Sequence, residues 1–234
     1  LKAVGADTAR AAIASLLPVG ALQAMAQERG TPEKKDLKIG FIAITCASPL
    51  IMADPLGFYK REGLNVQLMK TAGWALIRDK MINKEHDASH FLSPMPIAMS
   101  MGLGSNQVDM NVASIQNTNG QAITLSKKLA DSGAIDGPSL AKLMQSDKRE
   151  FTFAQTFPTG THAMWIYYWL ATYGINPLKD AKVITVPPPQ MVANMRVGNM
   201  DGFCVGEPWN HRAIMDGIGV TAVTTQDIWK DHPE

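Results

Sequence analysis

The sequence predicts an α/β fold built as two doubly wound lobes of mostly parallel sheet, with a ligand cleft between them. Three observations point there. From Leu37 onward, apolar β-branched runs alternate with helical patterns, and repeated βα units give parallel sheets flanked by helices. The alternation pauses at the turn residues Asn117 to Gly120 and an extended segment near 121–127, which divides the chain. The length, 234 residues at 46% hydrophobic and 18% charged, suits one large or two small cores.

The elements follow in order. "LKIGFIAI" reads as a buried strand. "SPLIMADPLGFYKREG" starts as a helix, is interrupted by proline and stops at Gly63. "LNVQLMKT" is a second strand, and "GWALIRDKMINKE" a helix with Trp74, Ile77 and Met81 on one face. "DASHFL" is a short strand and "SPMPIAMSMGLG" a short helix. "VDMNVASIQ" and "QAITLS" read as extended. The first lobe is thus assigned to 37–125 and the second to 126–234. In the second, "GPSLAKLMQ", "HAMWIYYWLATYG", "QMVANMRVG" and "PWNHRAIMDG" are helices. "EFTFAQTF", "AKVITVPPP", "DGFCVGE" and "VTAVTT" are strands.

The first 26 residues have a different character. "AAIASLLPVGALQAMAQ" is an apolar run broken by Pro18 and Gly20 and ending Ala24-Met25-Ala26. That is an h-region with an A-x-A cleavage site, too short and interrupted to span a bilayer. Residues 1–26 are therefore read as part of a secretion signal that begins upstream, with the look of a twin-arginine signal's tail. An amphipathic helix is the weaker reading. Residues 27–36 form a polar linker. The expected location is the periplasm.

Charge and cysteine content narrow the partners. With 22 basic and 21 acidic residues and no long run of either, the chain carries no polybasic surface for nucleic acid or membrane. A small ligand is the natural partner. Cys46 and Cys204 are far apart and in no metal-like spacing. They read as buried small hydrophobes, with a single bridge as the alternative.

Catalytic and cofactor patterns are missing. The histidines are His86, His90, His162, His211 and His232. No G-x-S-x-G elbow accompanies them, and neither cysteine has a nucleophile's context. His86 and His90 lie where helix passes into strand, and in a strand such a pair is about 13 Å apart, so a structural role is favoured over a metal site. "GLGSN" lacks a P-loop's lysine and spacing. No catalytic residue, metal ligand or cofactor is assigned.

Donor groups at the turns carry more. Trp74 follows Gly73 at a helix start, Gln121 follows "NTNG" at the lobe junction, and His162 follows "PTGT" at another helix start. Ligands of doubly wound folds sit at the carboxyl ends of strands, beside helix N-termini that favour anions. Indole donates only, the glutamine amide donates twice, and histidine donates from either nitrogen. Taken singly, Trp74 is explained by core packing and Gln121 equally well by a turn. Together they describe a small-oxyanion cleft.

These same segments carry a family resemblance. "LKIGFIAITCASPLIMADPLGFYKREGLNV", "GWALIRDKM", "NTNGQAITLS", "TFPTGTHAMWIYYWLATYGINP", "DGFCVGEPWN" and "DIWKDHPE" resemble the nitrate/bicarbonate substrate-binding proteins of ABC transporters, from about Leu37 to Glu234. The resemblance implies a type II periplasmic-binding-protein fold that closes on one small anion. In nitrate-binding members a Trp, a Gly-Gln pair, a His and a Lys hold the ligand. By motif these fall on Trp74, on Gly120 with Gln121, and on His162. The family lysine directly follows "HPE", where this chain stops. Bicarbonate binders are expected to differ near that lysine and to recruit calcium. Relatives also continue further and return to complete the first lobe, so the chain is read as C-terminally truncated.

The function so implied is a periplasmic solute-binding subunit that delivers nitrate, or nitrite in its place, to an ABC permease and ATPase. It would meet the membrane only through the permease. The alternatives keep the fold: a bicarbonate or alkanesulfonate binder, a cytoplasmic nitrate-sensing regulator, or an enzyme of the thiamine-precursor synthase type. The secretion signal argues against the regulator. The absence of a cysteine cluster argues against the enzyme.

Overall fold

Residues 31–234 are described by a computed structural model of the chain. They include the unit Asp36–Glu234; the other unit, Leu1–Lys35, lies almost wholly outside them, as do the secretion-signal assignment and most of the linker.

The first sheet has three parallel strands, β1 (Asp36–Ile42), β2 (Asn65–Thr71) and β3 (Ala88–Ser89), in the order β2-β1-β3. A 3-10 turn at Thr45–Ala47 follows β1, then α1 (Ser48–Ala53) and α2 (Phe58–Arg61). The sequence reads this stretch as a helix interrupted by proline, and the chain divides there into two. Asp54-Pro55 and the left-handed Gly57 separate them, because proline disfavours a helical residue before it and Gly57 sits at φ 72. The helix α3 (Trp74–Ile82) bridges β2 and β3, and α4 (Pro94–Ser100) follows β3. Trp74 and Ile77 are buried beneath the sheet and Met81 is half-buried, as the one-face reading requires.

The second sheet has five strands: β4 (Gln121–Ser126), β5 (Thr152–Gln155), β6 (Lys182–Thr185), β7 (Gly202–Gly206) and β8 (Gly219–Thr224). Their order is β6-β5-β7-β4-β8. Strands β5, β6 and β7 are parallel, whereas β4 runs antiparallel to both neighbours. The mostly parallel expectation therefore holds for the first sheet and fails for half of the pairings in the second. The division also moves: Gln121–Ser126 belongs to the second sheet, so the sheets change over before residue 121 and not at 125/126. The segment "VDMNVASIQ", read as extended, forms no strand; its backbone finds only scattered partners such as Ser100 Oγ to the Met110 amide.

Helices surround this sheet: α5 (Lys127–Asp131), α6 (Gly137–Ser146), α7 (Thr161–Thr172), α8 (Pro188–Arg196), α9 (Trp209–Met215) and α10 (Thr225–Ile228). The sequence reading misses α5 and α10. Both are single short turns that follow a strand directly, started by side-chain caps from Ser126 to the Leu129 amide and from Thr224 to the Asp227 amide. The longest, α7, drives Trp165, Ile166, Trp169 and Leu170 into a core with Ile123, Leu125, Phe151 and Phe153. Each such side chain contributes roughly 1.5–3 kcal/mol on burial.

The two sheets approach each other at their carboxyl ends. Phe157, just past β5, packs in the same buried cluster as Ile42, Ile44, Trp74 and Leu92. The chain crosses from one sheet to the other through 117–120, and residues 231–234 run back alongside. Thr118 and Pro233 form an antiparallel bridge, and the Asn119 amide donates to His232 O at 3.0 Å.

Gly160, the N-cap of α7, is the tightest point of this approach. A Cβ there would lie 2.4 Å from Leu92 Cδ1 and 3.2 Å from Phe157 O. Leu92 is fully buried and has little room to yield. Gly160→Ala is expected to lower stability by about 1–3 kcal/mol, as overpacking does, read as a lower urea midpoint with unchanged m-value.

Candidate functional site

The candidate donors stand beside the carboxyl ends of β2, β5 and β7. Trp74 is the first residue of α3, directly after its N-cap Gly73 and three residues past the end of β2. His162 stands in the first turn of α7, after β5. Gln121 opens β4 and is paired with Gly206, the last residue of β7. Neither α3 nor α7 has a side-chain N-cap, so the first backbone N–H groups of both remain available.

Each donor is buried, and each has an orphaned polar atom. Trp74 is 1% exposed and its Nε1 has no hydrogen-bond partner. Its ring meets His90 edge-on at 5.3 Å. His162 is 0% exposed, with Nδ1 2.5 Å from Thr156 Oγ1 and Nε2 unpartnered. Native interiors seldom leave buried donors unpaired, and a ligand site is one standing explanation. Burial holds the His162 imidazole down at about 3, so it is neutral near pH 7. In the tautomer where Thr156 donates to Nδ1, the proton sits on Nε2 and that N–H is the free donor.

Gln121 is arranged differently. Its Nε2 donates to Thr161 Oγ1 at 2.9 Å and to Glu234 Oε1 at 3.0 Å, which leaves Oε1 buried and unpartnered. Gly120 is exposed, at φ 88, and a Cβ there would meet Glu234 Oε2 at 3.0 Å. A Cβ on Gly206 would meet Glu234 Oε1 at 3.1 Å. Two glycines therefore make room for one carboxyl. Cys46 also hydrogen-bonds that carboxyl. Removal from water pushes Glu234 up to about 7, against the pull of Gln121 and Cys46.

The motif "GEPWN" clamps the sheets. The Thr45 amide donates to Glu207 O at 2.8 Å, and Trp209 Nε1 donates to Ala43 O at 3.2 Å. Asn210 is fully buried: its Nδ2 donates to Val205 O and its Oδ1 accepts from Thr124.

The sequence reading names Trp74, Gly120, Gln121 and His162 and passes over their neighbours: Thr156 beside His162, Thr161 and Glu234 beside Gln121, and Cys46 beside Glu234. The threonines lie within "TFPTGTH" and its flank, where sequence shows hydroxyls near His162 but not their direction. Cys46 and Cys204 are both free and buried. His86, away from the cleft, bonds Ser89 Oγ at 3.1 Å. Among the described residues no group of His, Cys, Asp and Glu is disposed to hold a metal ion. No helix among them is long and apolar enough to cross a membrane.

Comparison with known proteins agrees with this architecture. The nitrate/nitrite binding protein NrtA of a Nostoc species is 42% identical over 211 residues, covering 86% of this chain and 47% of that protein. The bicarbonate-binding protein CmpA of Synechococcus elongatus is 36% identical over 213 residues, again 86% of this chain and 47% of that protein. The crystal structure of the periplasmic nitrate-binding protein NrtA from Synechocystis superposes with a TM-score of 0.83 at 41% identity, covering 88% of this chain and 55% of that one. The chain thus spans about half the length of the curated binding proteins it matches. Its fold is that of a type II periplasmic binding protein. The NMT1-like family description matches residues 30–234, and the chain belongs to that family.

Proposed function

We propose that this chain is the anion-capturing part of a periplasmic solute-binding subunit, which takes up nitrate, or nitrite in its place, for an ABC permease and ATPase. The carrying observation is the pair of buried, unpartnered donors, Trp74 Nε1 and His162 Nε2, at the carboxyl ends of two strands. An indole N–H and a neutral imidazole N–H, both buried and without a protein partner, suit an ion that only accepts. Uncapped helix starts at α3 and α7 add partial positive charge. A charge-assisted bond contributes about 1.5–3 kcal/mol. Three or four such bonds reach the ~8 kcal/mol of micromolar binding once association costs are met. No bond is broken in this role. The 42% identity to a nitrate/nitrite binder and the periplasmic relative support the ligand and the location. Residues Gly120 and Gln121 complete the proposed site.

Bicarbonate is the second reading, and one observation favours it. Gln121 Oε1 is a buried acceptor without a donor, and bicarbonate carries a hydroxyl that nitrate lacks. The test is calorimetric titration of nitrate, bicarbonate and methanesulfonate, each separately, into the full-length protein that contains this chain. Saturable micromolar binding of nitrate is expected. Saturation by bicarbonate alone would replace nitrate with the second reading.

A further inference from the structure

The Gln121 amide offers an anion no free donor. Both of its hydrogens are taken, by Thr161 Oγ1 and Glu234 Oε1, and its carbonyl oxygen is left buried and bare. The cause is Glu234. An ionised carboxylate only accepts, so it draws the NH2 end of the amide toward itself. The carboxyl is seated to do this, with Gly120 and Gly206 leaving it room and Cys46 hydrogen-bonding it from the loop after β1.

We propose that the Glu234 carboxyl is a switch that sets which end of the Gln121 amide faces the cleft, so that anion capture takes up one proton. This rests on the anion-binding role proposed above. When Glu234 is protonated, its O–H donates to Gln121 Oε1. The amide turns over, Thr161 donates to the same oxygen by rotating its hydroxyl, and Nε2 moves to where the bare carbonyl was. The cleft then presents a third side-chain donor beside Trp74 Nε1 and His162 Nε2. The same proton removes a negative charge next to the incoming anion. No covalent bond changes; the proton comes from solvent and returns to it on release.

The surroundings favour this balance. Glu234 ionises near 7, because its removal from water outweighs the two hydrogen bonds it accepts. The thiols of Cys46, on the loop after β1, and Cys204, on β7, are pushed up by burial and by Glu234, so they stay neutral. From α7, His162 is uncharged at these pH values. Glu207, after β7, spends its carboxylate on the His211 amide. His232, two residues before Glu234, packs at a tilt against Trp165 with ring centroids 4.6 Å apart, its Nδ1 3.0 Å from Pro233 O.

Nitrate keeps its charge at every working pH, so the pH dependence of its binding belongs to the protein. Its dissociation constant, measured by calorimetry on the full-length protein from pH 5.5 to 8.5, is expected to rise about tenfold per pH unit above the Glu234 midpoint. Buffers of different ionisation enthalpy should show uptake of one proton per anion there. Glu234→Gln carries an NH2 that donates permanently to Gln121 Oε1, so it should bind with the wild-type acid-limit affinity at all pH values. His232→Gln should keep the wild-type slope. A flat wild-type profile, a slope retained in Glu234→Gln, or a slope lost in His232→Gln overturns the switch. If nitrate does not bind at any pH, the ligand assignment fails, and NMR of the anion-free protein still decides the switch. A shared midpoint for the Glu234 carboxyl carbon and the Gln121 side-chain amide upholds it, and independent titrations overturn it.

Discussion

Trp74→Ala is expected to cost about 3–5 kcal/mol of stability, the range for truncating a buried aromatic. The ring is 1% exposed and shares a cluster with Ile42, Ile77, Leu92 and Phe157, from both sheets. So large a loss would mask any effect on binding. Trp74→Phe separates the two roles. It keeps most of the side-chain volume and removes the N–H together with part of the bicyclic ring, at a smaller packing cost than alanine. Since that Nε1 has no protein partner, its loss should cost the fold little. Its loss from an anion site should weaken nitrate binding by roughly 10–100-fold, the worth of one charge-assisted bond. Thermal unfolding and titration calorimetry of the two variants measure the split. If Trp74→Phe binds as wild type does, the indole is packing alone.

His162→Ala is the second large expectation, with a comparable loss of nitrate affinity, about 10–100-fold. Its pH signature is separate. His162 titrates at about 3 in the folded chain and His90 at about 4, both held down by burial, against 6.5 for a free imidazole. Below about 6.5 the unfolded chain gains protons that the folded chain refuses. Stability is therefore complete above 6.5 and is lost as pH falls toward 3. Each histidine adds a slope of up to about 1.4 kcal/mol per pH unit. Urea midpoints from pH 7.5 to 4.5 should fall less steeply in His162→Ala than in the wild type. Glu234 acts in the opposite sense: its pKa is raised from 4.5 to about 7, so its contribution is lost as pH rises through that range. An acid slope unchanged in His162→Ala would place the imidazole's proton elsewhere.

Much of this was legible in the sequence. Strand and helix identity followed from apolar runs and glycine stops; Trp74 and His162 stood out as residues at helix starts, and Gln121 as one at the junction after the "NTNG" turn. The sheet pairing was not. "QAITLS" reads as the last strand of the first lobe because it follows the first lobe's elements. Pairing with Gly202–Gly206 and Gly219–Thr224 is a nonlocal property that periodicity does not carry. The orientation of Gln121 was equally hidden. It depends on Glu234, 113 residues away, and on a threonine hydroxyl that sequence shows only as a neighbour of His162. The neutral state of His162 could not be read either, since it follows from complete burial and not from the residues beside it.

The place of β4 also has a consequence for how the molecule is made. It is the first strand of its sheet to be synthesised, yet both of its neighbours, β7 and β8, come late. All six of its residues end up buried, and none has a ladder partner until residue 202 exists. At ordinary translation speeds β4 waits on the order of 5–20 s for them. The second sheet therefore cannot assemble from its N-terminal end, and its folding rate is set by closing long loops. Until then "QAITLS" is an unpaired strand that other chains can find, so holding it apart is a task for whatever escorts the nascent protein.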